Sequence, residues 1–589
     1  MRSRSTRLRS RGRVGARCDR SPAHSSRAMS QGSLPQSLIG QDSWVRTVAS
    51  PTPHTRVMTS KAGGRRTMQA LGLVIPFAVG AVLRAGPVAT HDWPLQDGGL
   101  FYRMIGEVLA NGLRSPATTT YNAAGIPFAY PPLAIWLAAA LEGITSWSRA
   151  DIMRLLPATF SIMQVPALYL LARELLGDRR HAAVASLIFA VEPFAFFIYD
   201  TGGGLTRSLG SLLAILAVWQ GVRMLRSGSR TALSATAVLA GLAALSHPES
   251  GPFVAIALGL AFLIDERHPR AAVRLVTAAI GAGLVSSAWW LSVLLAHGPA
   301  PLLSALSGTP HDLVASLVVF LFGYLLRGPL GIIGAVALLG EVQVVASRRP
   351  YLFVWLLAVC VLDLRFAPVA GTVPMSMLVA VGVLDVVAPM AIRATSMFRS
   401  GSAMAGGSAA VGVVIAAIVL AGLGSSVGTY DRNAALTSAD RGAMSWTAEN
   451  QPAGRAFVVL GASPWGSDDV AEWFPALADR RSLTTSQGLE WVPGGAHARE
   501  SQAEDALRAC QPRIADGCLT AWLATYAQPV GDWGLYVAAN DSMASQPGTD
   551  CCLAVRAWIR ANPGFRIVYD GPGALIAVPT GAAAAAWAP

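Results

Sequence analysis

Two carboxylates lie in a short polar stretch that separates the first two apolar runs of the sequence. The stretch begins at His91 and contains Asp92, Asp97 and a flexible Gly-Gly pair. A carboxylate held at a membrane surface is suited to act as a general base that removes the proton from an attacking hydroxyl. The alternative is that either aspartate only caps the helix that follows, since Asp is a favoured residue at a helix N-terminus.

A glycine-rich segment, Thr-Gly-Gly-Gly-Leu-Thr-Arg-Ser, opens a later apolar helix and is suited to hold a phosphate. The amides of Gly203 and Gly204 would stand at the helix N-terminus, where free N–H groups attract anions. Arg207 adds a guanidinium, whose fork of donors fits phosphate oxygens. The alternative is a flexible hinge, with Arg207 extending its side chain towards the membrane interface.

Three other positions carry residues that can bind a ligand. His247 and Glu249 share a turn, where they would bind a divalent metal or orient a substrate, although Pro248 is also explained by a simple turn. Tyr102 and Arg103 follow Asp97 closely and are further substrate or metal candidates. Arg365, near a helix end, is a second candidate for binding a phosphate. Its alternative function is to pair with the neighbouring Asp363.

The composition is that of a polytopic membrane protein, with 53% apolar residues, 14% charged residues and a mean hydropathy of +0.45. The net charge of +12 resides in residues 1–67, which hold fourteen Lys and Arg and two acids, whereas the rest of the chain is balanced. This segment lacks apolar periodicity and predicts a disordered cytoplasmic tail. A nucleic-acid partner is therefore not expected.

Thirteen apolar runs between residues 68 and 427 are candidate transmembrane helices by hydropathy. The positive-inside rule prefers eleven crossings, because it requires an odd number of crossings within 131–172 and within 312–346. Both counts are odd. They place the N-terminus in the cytoplasm and put the first loop, residues 88–130, outside together with the other candidate residues and the C-terminal region.

From residue 428 onwards the pattern predicts an extracytoplasmic α/β domain that extends to residue 589. Short strand-like runs near 456–460, 533–538, 565–569 and 574–578 predict its strands. Four of the six cysteines fall in this domain, as expected where disulfides persist. Cys510–Cys518 is the simplest pairing, although Cys551 or Cys552 is an alternative partner for either.

Several aromatic and acidic side chains of the C-terminal domain have two possible functions. They either contact a sugar, whose pyranose ring stacks on aromatic faces, or form the core of the domain. These residues are Glu472, Trp473, Phe474, Glu490 and Trp491.

Residues 68–500 resemble the GT-C glycosyltransferases, which include the protein O-mannosyltransferases and the aminoarabinose transferases. The motifs that carry the resemblance are PLQDGGLFY, PFAYPPLAIW and RLLPATFSIMQVPALYLLARELLG. The segments TGGGLTRSLG, LSHPES and AEWFPALADRRSLTTSQGLEW resemble an uncharacterised prokaryotic branch of these enzymes.

The resemblance implies a polytopic α-helical membrane protein of 11–13 transmembrane helices with a GT-C-like fold. It implies transfer of a sugar from a polyprenyl-phosphate donor to a glycan, lipid or protein acceptor outside the plasma membrane. Asp97 corresponds to the catalytic base, and some relatives also use a divalent cation such as Mg²⁺ or Mn²⁺. The Asp-Glu pair of some relatives is absent, because Gly98 follows Asp97.

Two other classes of protein compete with this interpretation. A transporter or lipid flippase concentrates polar residues at the bilayer midplane and often shows internal repeats. In this sequence the polar candidates gather at one membrane face instead, and no repeat is evident. The remaining alternative is an inactive GT-C-fold protein of cell-envelope assembly.

We expect the basic tail to be dispensable, because it holds all of the net charge but has no apolar periodicity. A chain that starts at Met58 should insert into the membrane and function as the full chain does. Membrane insertion and activity of the two forms, measured side by side, test this prediction. Loss of insertion on truncation would contradict it.

Overall fold

Long apolar helices dominate the part of the chain between residues 59 and 430. The structure, a computed structural model, describes residues 59–307, 314, 318, 330–362, 367–398, 403–430, 435–461, 468–510, 517–526, 532–539 and 552–581. The first ten helices are α1 (Thr59–Thr90), α2 (Gly99–Ala110), α3 (Leu133–Ile144), α4 (Arg149–Leu176), α5 (Arg179–Val191), α6 (Gly204–Ser227), α7 (Arg230–Ser246), α8 (Ser250–Asp265), α9 (Pro269–His297) and α10 (Ala300–Ser307). The helices that follow are α11 (Gly331–Ala346), α12 (Tyr351–Val361), α13 (Ala367–Ala370), α14 (Thr372–Val381), which continues as a π-helix over Gly382–Val387, α15 (Ala388–Phe398) and α16 (Ala403–Tyr430).

Six segments of the described helices are long and apolar enough to cross a membrane. They are Gly72–Thr90, Arg149–Leu176, Gly204–Ser227, Pro269–His297, Ala367–Ala394 and Ser408–Ser426. Five further apolar helices have 10–17 residues: α3, α7, α8, α11 and α12. The expected polytopic helical fold is therefore confirmed.

The apolar run near 131–147 does not form a full crossing of its own. It folds as α3, which has 12 residues and a length of about 18 Å, whereas the hydrocarbon core is about 30 Å thick. The adjacent α4 has 28 residues and spans comfortably. This arrangement agrees with the single crossing that the charge rule requires between 131 and 172, rather than with the two runs that hydropathy separates.

Helix α6 connects the glycine-rich segment to the opposite face of the membrane domain. It begins after Gly203 and ends at Gly228, which adopts a left-handed φ of 69°. Arg207 and Arg223 are 16 residues apart on this helix, about 24 Å along its axis. The two arginines therefore mark the two ends of one membrane-spanning element.

The C-terminal domain is built on a four-stranded sheet. Its strands are β1 (Ala456–Leu460), β2 (Trp533–Ala538), β3 (Phe565–Gly571) and β4 (Ala574–Pro579), in the order β1-β2-β4-β3. Strands β1 and β2 are parallel, and the other pairs are antiparallel. The helices of the domain are α17 (Ser438–Asn450), α18 (Asp469–Leu477), α19 (Ala496–Cys510), α20 (Cys518–Tyr526) and α21 (Leu553–Ala561). All four strands lie where the sequence predicts them.

The cysteine predictions can be compared with the structure at the cysteines that it describes. Cys510 and Cys518 form the expected disulfide, and Cys552 is disulfide-bonded as well. Cys360 is buried within α12. Cys551 lies outside the described residues.

The first loop and the C-terminal domain share one hydrophobic core. Phe101 of α2 and Ile135 of α3 belong to the same buried cluster as Trp473 and Phe474 of α18 and Ile576 of β4. Trp473 and Phe474 have no exposed surface, so they form core and not a sugar-binding face. The domain therefore packs directly on the segment that contains Asp97.

Gly99 allows this close packing. A Cβ atom at Gly99 would lie 2.0 Å from the carbonyl oxygen of Glu472 and 3.1 Å from the Cα of Trp473. Both contacts are with backbone, so a side-chain rotation cannot relieve them. Only glycine fits at this contact between α2 and α18.

We predict that Gly99→Ala weakens the docking of the C-terminal domain by about 1–3 kcal/mol, the usual cost of overpacking. Thermal unfolding in detergent and protease sensitivity of the domain measure the effect. Gly442→Ala is the matched control, because a Cβ there meets no atom within 4 Å and alanine favours the helix. Equal stability of the Gly99→Ala and Gly442→Ala proteins would contradict the prediction.

Candidate active site

Asp97 is held by the backbone at the start of α6. The amide of Gly203 donates to the Asp97 carbonyl oxygen (3.1 Å) and to its carboxylate Oδ1 (3.2 Å). The amide of Gly202 donates to the carbonyl oxygen of Leu95 (2.8 Å). A carboxylate is stabilised at a helix N-terminus by the helix dipole and by the amides there. The start of α6 thus binds an anion, and that anion is the Asp97 side chain.

The glycines of this segment are needed because the two chain segments approach each other closely. A Cβ on Gly203 would lie 2.3 Å from the Asp97 Oδ2 atom, and one on Gly202 would lie 2.3 Å from the Asp97 carbonyl oxygen. A Cβ on Gly204 would lie 2.3 Å from the carbonyl oxygen of Tyr199. The triple glycine therefore fits the first loop against α6.

The phosphate-binding role that we expected for Gly203 and Gly204 does not match this arrangement. The Gly203 amide donates to Asp97, and the Gly204 amide donates to the carbonyl oxygen of Thr201 (3.0 Å). Amides that already serve protein acceptors are not available to a ligand in this conformation. Arg207 is the one predicted phosphate ligand that the described residues place at a pocket.

The surroundings of Asp97 favour a stronger base than an ordinary aspartate. Burial raises the pKa of the Asp97 carboxyl, while the positive charge of Arg207 and hydrogen bonds from Gly203 and Thr201 oppose the shift. The net direction is upwards, so the carboxylate binds a proton more readily than it would in water. A carboxylate with a raised pKa is suited to accept the proton of a hydroxyl.

A pocket of about 460 Å³, which includes the open solvent at its mouth, lies beside α6 and gathers three of the predicted residues. Arg207, His247 and Glu249 contribute polar groups to its wall. The apolar wall is formed by Ile198, Ala214, Phe253, Val369, Ala370 and Val373, and the remaining lining residues are Tyr199, Ser211 and Ser250. The pocket therefore combines apolar walls with a guanidinium that suits an anionic headgroup, beside an imidazole and a carboxylate.

Tyr130, the last residue of the first loop, contacts both the pocket wall and the C-terminal domain. The Thr206 hydroxyl donates to the Tyr130 hydroxyl (3.4 Å). The Tyr130 ring packs edge-on against Phe101, His247 and Trp491, at centroid distances of 4.9, 6.2 and 5.6 Å. Burial raises the pKa of the Tyr130 hydroxyl to about 12, so it remains a neutral donor at physiological pH.

Sequence reasoning did not include Tyr130 or Tyr199 among the candidate residues. The signal was present, because Tyr130 begins the Tyr-Pro-Pro-Leu motif and Tyr199 directly precedes the segment that leads into the triple glycine. Two prolines after a tyrosine fix the backbone and hold the ring at a defined place. A sequence alone does not show that this place is beside His247.

Asp92 lies in a different environment from Asp97. Its carboxylate forms an ion pair with Arg441 of α17 (2.6 Å), and about 74% of its side chain is exposed. The hydrogen bond from Arg441 lowers the pKa of Asp92 and makes it a weaker base. The Arg441 guanidinium also stacks over the Trp93 ring, 4.8 Å from its centroid. These contacts tie the first loop to the C-terminal domain.

Tyr102 and Arg103 also contact the C-terminal domain and the neighbouring helices. The Tyr102 ring packs edge-on against Trp473 (5.5 Å between centroids) and lies under the guanidinium of Arg149 (4.7 Å). Arg103 forms an ion pair with Asp479 and donates to the carbonyl oxygen of Pro475 (3.3 Å). The structure thus places these two candidates at an interface, away from the pocket lining. Arg365 lies outside the described residues.

The described residues do not fit the divalent cation that the resemblance implies. Within that part of the chain, no group of three or more His, Cys, Asp or Glu side chains is arranged to hold a metal ion. His247 and Glu249 alone supply two potential ligands, whereas Mg²⁺ requires near-octahedral oxygen ligation. We therefore assign no chemical step to a cation.

Comparison with known proteins gives one family and several structures. Residues 129–294 match the family described as dolichyl-phosphate-mannose-protein mannosyltransferase, which is less than a third of the chain. No curated protein matches the chain by sequence. The matched segment includes Tyr130, Arg207 and His247 of the candidate site.

Three solved structures share the fold of this chain at low sequence identity. The archaeal oligosaccharyltransferase AglB from Archaeoglobus fulgidus, in complex with an inhibitory peptide and a dolichol-phosphate, has a TM-score of 0.56 at 15% identity, over 81% of this chain and 70% of AglB. ArnT from Cupriavidus metallidurans, bound to undecaprenyl phosphate, has a TM-score of 0.51 at 13% identity, over 87% of this chain and 99% of ArnT. The arabinofuranosyltransferase AftD from Mycobacteria has a TM-score of 0.53 at 16% identity, over 86% of this chain and 40% of AftD.

These similarities extend over most of the chain and include both the helical bundle and the region that follows it. They agree with the resemblance that the first-loop and glycine-rich motifs indicate. The chain is a multi-pass membrane protein with the fold of the GT-C glycosyltransferase superfamily.

Proposed function

We propose that this protein transfers a sugar from a polyprenyl-phosphate donor to a hydroxyl-bearing acceptor outside the cytoplasm, with Asp97 as the general base. The observation that carries the proposal is the arrangement at the start of α6. The helix holds the Asp97 carboxylate at Gly203 and, one turn later, presents Arg207 to an apolar-walled pocket. A carboxylate bound by the start of this helix and a guanidinium on its first turn support the assignment of a base and a phosphate-binding cation.

The ligands of two structural relatives support the choice of donor. AglB was solved with a dolichol-phosphate, and ArnT was solved with undecaprenyl phosphate. Both are lipids with a phosphate headgroup. The pocket beside α6 offers Arg207 for such a phosphate and Phe253 and Val373 as parts of the apolar wall that would flank the chain.

In the proposed reaction, Asp97 accepts the proton of the acceptor hydroxyl. The acceptor oxygen forms a bond with the anomeric carbon of the sugar, and the bond between that carbon and the donor phosphate oxygen breaks. The electron pair of the broken bond remains on the lipid phosphate, whose negative charge Arg207 stabilises. His247 and Glu249, in the same pocket wall, are placed to contact the donor sugar.

The topology belongs to the proposal as well. The charge distribution puts residues 1–67 in the cytoplasm and the first loop, the pocket mouth and the C-terminal domain on the outer face of the plasma membrane. The acceptor is a glycan, a lipid or a protein on that face. The cysteines of the C-terminal domain, of which Cys510, Cys518 and Cys552 are disulfide-bonded, agree with an oxidising compartment.

We predict that Asp97→Asn lowers turnover by about 10²–10⁴-fold with donor binding retained, because the variant keeps the size of the side chain but loses its basicity. Arg207→Ala should instead weaken donor binding, since a charge-assisted contact to phosphate is lost. Binding and transfer of a polyprenyl-phosphate sugar in reconstituted membranes measure both effects. Arg223→Ala, at the other end of α6, is the matched control for loss of an arginine and should bind donor normally.

Three outcomes would overturn parts of the proposal. Normal transfer by Asp97→Asn would place the base elsewhere, and Asp92→Asn is the next variant to measure. Equal donor binding by the Arg207→Ala and Arg223→Ala proteins would remove Arg207 from the phosphate site. If neither variant nor the wild-type protein binds such a donor, the transporter interpretation moves ahead of the enzymatic one.

A further inference from the structure

The residue after Asp97 cannot supply a second acid to the site. Gly98 has a φ of 142°, which L side chains rarely adopt, and a Cβ there would lie 3.1 Å from the backbone of Gly202. A glutamate at this position, as in the Asp-Glu pair of some relatives, would be strained on both counts. Any second carboxylate beside Asp97 must therefore come from another part of the chain.

Glu472 of the C-terminal domain is such a carboxylate. It lies in the first turn of α18 and is 1% exposed. Within the part of the chain that the structure describes, its buried Oε2 atom has no hydrogen-bond partner. A buried carboxylate oxygen without a partner costs free energy and is unusual in a well-packed core, so it points to a function.

The backbone of α18 fixes Glu472 beside the residues that flank Asp97. The indole Nε1 of Trp473 donates to the carbonyl oxygen of Gln96 (2.7 Å), one residue before Asp97. The carbonyl oxygen of Glu472 packs on Gly99 and accepts from the Tyr121 hydroxyl (2.6 Å). The contacts on both sides of Asp97 therefore fix the position of Glu472 relative to the first loop.

The charges around Glu472 differ from those around Asp97, and this difference decides which of the two carboxyl groups keeps a proton. The strongest electrostatic influences on Glu472 all come from acids, namely Asp97, Glu504, Glu490 and Asp468. Asp97 instead has the Gly203 amide, the N-terminus of α6 and the positive charge of Arg207. When two carboxylates share a poorly solvated site, the acid with less support for its charge stays protonated.

We propose that Glu472 is a positioning acid that stays protonated at neutral pH and confines the negative charge of the pair to Asp97. The inference rests on the proposed function and deepens it, because the C-terminal domain then completes the site around the general base. Burial, and then repulsion by Asp97 and the other acids, raises the pKa of Glu472 well above its usual range. The titratable groups that face it are Asp97 of the first loop, Tyr121 of the short helix before α3, Asp468 at the start of α18, Glu490 and Glu504.

The pH dependence of transfer distinguishes a neutral Glu472 from a charged one. Because the pKa of Asp97 is raised, wild-type activity should be lost as pH falls through that raised value. Glu472→Gln replaces one neutral group by another, so the acid limb of the rate profile should stay in place. Glu472→Ala removes the polar group, and we expect turnover about tenfold lower, because the neutral dipole beside the charge of Asp97 is lost. Restoration of turnover by Gln but not by the apolar Met, which is similar in size, would separate positioning from packing.

Glu500→Gln is the matched control. Glu500 is a half-buried acid of α19 in the same domain, and burial raises its pKa to about 7, but Asp97 does not contribute to this rise. The variant should leave the acid limb and turnover unchanged. A move of the acid limb to lower pH by about one unit in Glu472→Gln would overturn the inference, because it would mean that a negative charge had been removed. Normal turnover of Glu472→Ala would overturn it too.

A direct measurement of protonation does not depend on transfer. The infrared difference between the wild-type protein and Glu472→Gln at neutral pH should contain the band of a protonated carboxyl group, because one such group is removed. Absence of this difference band would overturn the inference whatever the activity. A wild type that gives the difference band but transfers no sugar would refute the proposed reaction and leave the protonation of Glu472 established.

Discussion

The contact between the Gly203 amide and Asp97 determines much of the arrangement described above. It ties a loop to the N-terminus of a membrane-spanning helix, and it requires the absence of a side chain at Gly203. Because the helix continues to Arg207, the same contact fixes the spacing between the proposed base and the proposed phosphate-binding group. A carboxylate placed in this way is supported by oriented backbone dipoles, which need not reorganise during a reaction.

The second constraint is the core that the first loop shares with the C-terminal domain. Phe101 and Trp473 belong to one buried cluster, and the ion pairs Asp92–Arg441 and Arg103–Asp479 surround it. An exposed ion pair contributes little to stability, typically about 0–1 kcal/mol, so the apolar contacts supply most of the docking free energy. The polar pairs serve mainly to set the orientation in which the two surfaces meet.

Patterns of neighbouring residues in the sequence predicted the strands, loop segments and turns that depend on those residues alone. Short apolar runs located β1 and β4, and the Asp and the triple glycine located the two segments that meet at Asp97. The charge pattern predicted the turn at His247 on the same membrane face as Arg207, and the two residues line one pocket. The sequence did not reveal which anion the start of α6 would bind. A helix N-terminus attracts a phosphate and a carboxylate by the same dipole, and only the folded chain shows that Asp97 occupies it.

Long-range pairing limited the other predictions. Asp92 and its partner Arg441 are 349 positions apart, and no spacing rule connects them, so Asp92 was considered together with Asp97 although their surroundings differ. The shortness of α3 was also hidden, because an apolar run buried against α2 has the same hydropathy as one in lipid. The burial of Glu472 depends on the docking of α18, which its own neighbours in the sequence do not indicate.

The shared core also has a consequence for biosynthesis. Phe101 would leave the ribosome hundreds of residues before Ile576, which belongs to the same buried cluster. In the proposed topology, the first loop would therefore reach the outer face of the membrane long before its packing partners are made during translation. Its apolar residues would be exposed in that interval, which is the situation in which chaperones and quality-control proteases act on membrane proteins. Slow or incomplete synthesis of the later segment should thus reduce the yield of protein with an ordered first loop.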